Sequence, residues 1–158
     1  AYFAFLLVIA RRMPLSELML SDRVSAADVD TAGRALAEAA RRVGRAAETA
    51  PEADRTGLIE LQAHLASIRE QVLADPADYR SAQRFITSYL PRMVESVEGF
   101  AALARRVQGP DVSRLAPLRD GLATYREAVA RIDRACLEND FTALEAEIDA
   151  LAFQVRRG

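Results

Sequence analysis

The sequence predicts an all-α protein: an antiparallel up-and-down helical bundle with a kinked long third helix and a short C-terminal helix. Three observations predict it. Apolar residues recur at alternating three- and four-residue steps, a coiled-coil-like spacing, in five segments. The clearest stripes are Ile86, Leu90, Met93, Val97, Phe100, Ala104, Val107 and Leu115, Leu118, Leu122, Tyr125, Val129, Ile132, Cys136. That spacing puts each set on one helical face. Breaks at Pro, Gly or Asn separate the segments, and no strand pattern or low-complexity linker interrupts them.

Composition agrees. The chain has 158 residues, enough for one domain, and 51% are hydrophobic. Aromatic residues are 6% and Trp is absent, so the core is mainly aliphatic side chains and alanine. Every one of the 21 basic residues is Arg. This reads as compositional bias. A net charge of -2 gives no general attraction to nucleic acid.

Residues 1–14 read as the end of a membrane span and its juxtamembrane segment. Ala1 to Ala10 are uncharged and almost wholly apolar, and Arg11, Arg12 and Met13-Pro14 follow. Ten helical residues cover about 15 Å, roughly half of a bilayer core. An Arg pair directly after an apolar run marks the cytoplasmic side, here of the inner membrane. A signal peptide would carry its basic residues before the apolar run. A short buried helix or an apolar tail is the alternative.

Residues 15–158 form the bundle domain. Leu15 to Val24 reads as a short amphipathic helix near the membrane. Ser25-x-x-Asp28 starts the first long helix, with Ser25 as cap. Its stripe is Val29, Ala32, Leu36, Ala39, Val43, Ala46, ending near Thr49. Gly33 and Gly44 weaken it by about 1 kcal/mol each if exposed. Ala50-Pro51 breaks it. The second helix presents Leu58, Leu61, Leu65, Ile68 and Val72.

Asp75-Pro76 then reads as cap plus first helical residue. The third helix runs to about Gln108 with Pro91 inside it. That proline removes a hydrogen bond and crowds the carbonyl of Thr87, which predicts a kink. Gly109-Pro110 ends this helix. The fourth starts near Asp111 or Ser113, with Pro117 near its first turn, and runs to about Leu137. Asn139-Asp140 is a short break, and Thr142-x-x-Glu145 matches a capping box. The last helix presents Phe141, Leu144, Ile148, Leu151 and Val155.

Chemistry is sparse. The single His64 sits at the edge of the second helix's stripe and reads as a boundary residue. Cys136 is alone, so it forms no intrachain disulfide, and it reads as a small buried hydrophobe. No phosphate loop or Glu-x-x-His motif is present. Glu95, Glu98, Glu145, Glu147 and Asp149 read as solvated faces. The residues thus nominate no catalytic group, metal ligand or cofactor. One local anomaly surrounds the expected kink, where Arg80, Arg84, Tyr89, Pro91 and Arg92 lie close in sequence. Arg84, Tyr89, Pro91 and Arg92 are the candidate binding residues, for an anion or a partner's acidic helix. The alternative is ordinary surface arginines around a tolerated proline.

From about Asp22 to Gly158 the chain resembles the XpaC-like proteins, named for bromochloroindolyl phosphate hydrolysis. The residues that carry the resemblance are Asp75-Pro76, Ala82-x-Arg84-Phe85 and Tyr89-Leu90-Pro91. The ending Leu137-Glu138-Asn139-Asp140, followed by Leu144-Glu145-Ala146-Glu147-Ile148-x-x-Leu151, is similar too. The resemblance implies a bacterial cytoplasmic helical domain behind an N-terminal membrane region. It also implies a protein partner of the TelA type in toxic-anion (tellurite) resistance. Two functions follow as expectations: a membrane-tethered interaction protein in toxic-anion or envelope stress, or a hydrolase of aryl phosphates. The oligomeric state stays open.

Overall fold

The computed structural model describes residues 25–107 and 109–157. Among them every regular element is helical. These are α1 (Ala26–Thr49), α2 (Glu52–Ala74), α3 (Pro76–Arg84), a π turn over Phe85–Tyr89 and α4 (Leu90–Arg106). A 3-10 segment over Gly109–Leu115, α5 (Ala116–Leu137) and α6 (Phe141–Arg157) complete the order. The expected membrane segment with Arg11 and Arg12, and the expected helix at Leu15–Val24, lie outside the described residues. Among the described residues no helix is long and apolar enough to cross a membrane.

Local chemistry sets most boundaries. Ser25 and Asp28 form a reciprocal capping box: Asp28 N–H donates to Ser25 Oγ at 3.1 Å, and Ser25 N–H donates to Asp28 Oδ2 at 3.0 Å. Pro51 ends α1 at Ala50. Arg55 then reaches back from α2 to the end of α1, donating to the carbonyls of Ala47 and Ala50. Asp75 caps α3 by accepting from Ala77 N–H at 2.9 Å, with Pro76 in the first turn.

The α1–α2 pair is antiparallel and close. Gly33 is buried there, not exposed, and its carbonyl accepts from Arg69 Nε at 3.1 Å. A Cβ on Gly33 would lie 2.8 Å from Leu73 Cδ2, and one on Gly44 would lie 2.5 Å from Gln62 Nε2. The side chains of Leu73 and Gln62 thus occupy the space left open over these two glycines.

The irregularity expected at Pro91 takes the form of a π turn. Leu90 N–H donates to the carbonyl of Phe85, five residues back, so the turn holds one extra residue. Pro91 falls in the first turn of α4, where its missing N–H costs least. Thr87 turns its hydroxyl back to the carbonyl of Gln83 at 2.9 Å.

Two boundaries differ from expectation. A 3-10 segment occupies the place where the fourth helix was expected to begin, and α5 starts at Ala116. Leu118 consequently lies in the first turn and is exposed. At the other end of α5, Asn139 adopts φ 53° and Asp140 N–H donates to the carbonyl of Ala135 at 2.9 Å. This left-handed closing turn leaves Asp140, not Thr142, to cap α6, accepting from Ala143 N–H at 3.0 Å. The last helix has 17 residues, as many as α4.

The chain reverses at each break between helices except across the π turn, where α3 runs on into α4, so two seams join parallel helices. Arg42 meets Glu98 between α1 and α4, and Asp54 meets Arg119 between α2 and α5. Around the bundle the order is therefore α1, α2, α5, α4, with α6 covering α5 and α3. Leu36, Leu61, Leu65, Phe85, Ile132 and Leu144 are fully buried in the core. Each such side chain contributes about 1.5–3 kcal/mol by leaving water.

Candidate functional site

The most developed polar arrangement lies on the α2–α5 seam. Asp133 stands among Val129, Ile132 and Cys136 on the buried face of α5, and only 5% of it is exposed. One carboxylate oxygen accepts from Ser67 Oγ at 2.6 Å. The other lies 2.7 Å from His64 Nδ1. His64 and Ser67 are one turn apart on α2, so both reach the same acid. With Asp133 as acceptor, the network assigns the proton to Nδ1 and leaves Nε2 as the free ring nitrogen. His64 is partly exposed, which puts the ring at the boundary between core and solvent.

A second buried acid lies nearby. Asp78, in the first turn of α3, is 1% exposed, and its Oδ1 has no hydrogen-bond partner. Burial, aided by the neighbouring charge of Asp75, pushes its pKa up to about 6. Cys136 is fully buried, and burial, with the charges of Asp78 and Asp133, pushes its thiol up to about 12. At neutral pH it is a protonated, unreactive thiol. Ser67 directs its proton to Asp133, and no hydrogen bond links it to His64 among the described residues. The arrangement thus lacks the nucleophile-to-base contact of acyl or phosphoryl transfer. Among the described residues no group of three or more His, Cys, Asp or Glu side chains is placed to hold a metal ion.

The four residues singled out from sequence are only partly brought together. Arg84 pairs with Asp149 of α6 and lines a groove of about 360 Å³ with Arg80, Ser81 and Glu145. Tyr89 is half-buried and packs against the core. Pro91 and Arg92 are exposed on the first turn of α4 and do not line that groove. Arg84 is turned toward Asp149, while Arg92 stands eight residues further along and takes no part in the groove. His64, Ser67 and Asp133 were missed as a set. A signal existed: Asp133 is four residues after Val129 and three before Cys136, an acid inside a core stripe.

The chain matches the family model described as 5-bromo-4-chloroindolyl phosphate hydrolysis protein over residues 2–151. No curated protein and no solved structure matches it.

Proposed function

The chain belongs to the 5-bromo-4-chloroindolyl phosphate hydrolysis protein family, and we propose that it acts as a membrane-tethered cytoplasmic helical interaction protein. In this reading residues 1–14 anchor it to the inner membrane, and the bundle receives a TelA-type partner in toxic-anion (tellurite) or envelope stress. One observation carries the reading. Leu103, Val112 and Leu118 are exposed on three successive elements: the end of α4, the 3-10 segment and the start of α5. They lie at the bundle end opposite the start of α1, the end that a tethered domain presents to partners. Exposed apolar side chains at that end suit a protein interface.

Purification of the full-length protein from solubilised membranes tests this reading. A TelA-type protein should co-purify, and Leu103→Asp with Leu118→Asp should release it. Equal recovery with the double variant removes the interface, and recovery of the full-length protein entirely in the soluble fraction removes the tether.

A second reading, hydrolysis of aryl phosphates, is supported by the family description and by the His64–Asp133 pair. An aspartate on Nδ1 orients an imidazole as a general base through Nε2. In this reading purified protein turns over 5-bromo-4-chloroindolyl phosphate, with or without divalent metals, and His64→Ala abolishes that turnover. Turnover that His64→Ala leaves intact assigns the activity elsewhere.

A further inference from the structure

The parallel seam between α1 and α4 opens into a groove of about 230 Å³ near the ends of both helices. Arg42, Arg45 and Arg105 line it, with Glu98 as the only acid, over a floor that includes Ala46 and Ala101. Arg42 is engaged by Glu98: Nε donates to Oε2 at 3.1 Å, and Nη2 donates to Oε1. These hydrogen bonds hold the Glu98 carboxyl below the usual carboxylate range, so the acid stays ionised and fixed. Arg45 acts on Glu98 only through its charge, and Arg105 holds no hydrogen bond or ion pair among the described residues. Three arginines and one glutamate give the lining a net positive charge, with Glu95 acting on Arg42 from outside it.

Helix ends offer another explanation for such arginines. Parallel α1 and α4 bring their carbonyl-rich ends together, and cations are favoured there. For α1 that role is already filled by Arg55, which donates to Ala47 and Ala50. The groove also has a floor of small apolar side chains, where charge interactions are stronger than in water.

We propose that this groove is a binding site for a phosphoryl oxyanion. A guanidinium presents planar paired donors that match phosphate oxygens, and two of them on facing helices can hold one tetrahedral group. The volume suits a single phosphoryl group with its waters and is too small for a peptide helix. Free phosphate and a phospholipid headgroup share this chemistry. The groove lies at the same bundle end as Leu103 but is lined by different residues, on the seam between α1 and α4.

The test uses the full chain. Its melting temperature is compared in inorganic phosphate and in chloride at equal ionic strength, alongside a calorimetric phosphate titration. Phosphate should bind saturably and raise the melting temperature. Arg45→Gln with Arg105→Gln should weaken binding by at least about tenfold. Both residues are exposed, so the fold is retained. Arg92→Gln removes an exposed charge elsewhere and should leave binding unchanged. In a second arm, vesicles of phosphatidylcholine with phosphatidic acid are sedimented with wild type and with the double variant. Binding that requires Arg45 and Arg105 in either arm supports the site, and the arm in which it appears identifies the source. No saturable binding in either arm overturns it, as does an equal loss in Arg92→Gln.

Discussion

Asp133 Oδ2 lies 2.7 Å from His64 Nδ1, joining two parallel helices at the edge of the core. The same carboxylate also takes the Ser67 hydroxyl. Asp133→Ala should therefore cost more than removal of either donor, about 1–3 kcal/mol, because it strands both donors at once. His64→Ala should cost less, since its ring is partly exposed and water can replace it at Asp133. Chemical denaturation checks the order, and a double-mutant cycle should return a coupling of about 1 kcal/mol between the two positions. Additive single effects would mean that the pair contributes nothing jointly.

Asp78 predicts a pH dependence. Its pKa is about 6 in the folded protein against an ordinary value of 3.8, so the native state binds the proton more tightly. The stabilisation from that proton is fully present below about pH 3.8 and is lost as pH rises through 6. A difference of this size corresponds to at most about 3 kcal/mol. Asp78→Asn keeps the shape without the ionisation. Relative to wild type, it should be progressively more stable between pH 4 and pH 7. Denaturation midpoints that change in parallel for the two proteins across this range would sink the idea.

What was legible in the sequence is what local chemistry decides. The start of α1 at Ser25 and the junction at Asp75-Pro76 depend on residues within one turn, and both form where they were read. At the start of α6 two caps competed. The left-handed Asn139 tipped the balance to Asp140, and a single conformation of this kind is hard to read from residue types alone. The site was less legible because its partners are distant. Ser67 and Asp133 are 66 residues apart, and only the parallel packing of α2 on α5 makes them neighbours. The arginines near Pro91 were over-read for the opposite reason. Closeness in sequence suggested convergence, but Arg84 is engaged by Asp149 of α6 and Arg92 is not part of that groove.

Pro91 itself should prove a packing feature. Phe85 and Ile86 are buried within the π turn, and Leu90 and Met93 are buried just beyond it. Those side chains hold the register on both sides, so Pro91→Ala should change stability by less than about 1 kcal/mol. Arg84→Ala and Arg92→Ala should likewise leave stability nearly constant, because exposed ion pairs add little. Pull-downs from membranes separate packing from recognition. Equal partner recovery across the three variants is expected, and loss with either arginine variant would restore this region as a binding surface.

Arg119 makes the strongest prediction about the opposite end of the bundle. Its Nε and Nη2 both reach the Asp54 carboxylate at 2.9 Å, a two-pronged contact between the starts of α5 and α2. Its guanidinium carbon also lies 5.8 Å from the centre of the Phe100 ring on α4. One side chain thus ties three helices close to the 3-10 segment. A bidentate, partly buried pair with a cation–π contact is worth more than a solvated one, so Arg119→Ala should cost about 1–2 kcal/mol. Arg119→Lys keeps the charge and loses the fork, and it should recover less than half of that loss. Thermal denaturation at low and at high salt checks both. A full rescue by lysine would show that charge alone, without the paired geometry, holds this end together.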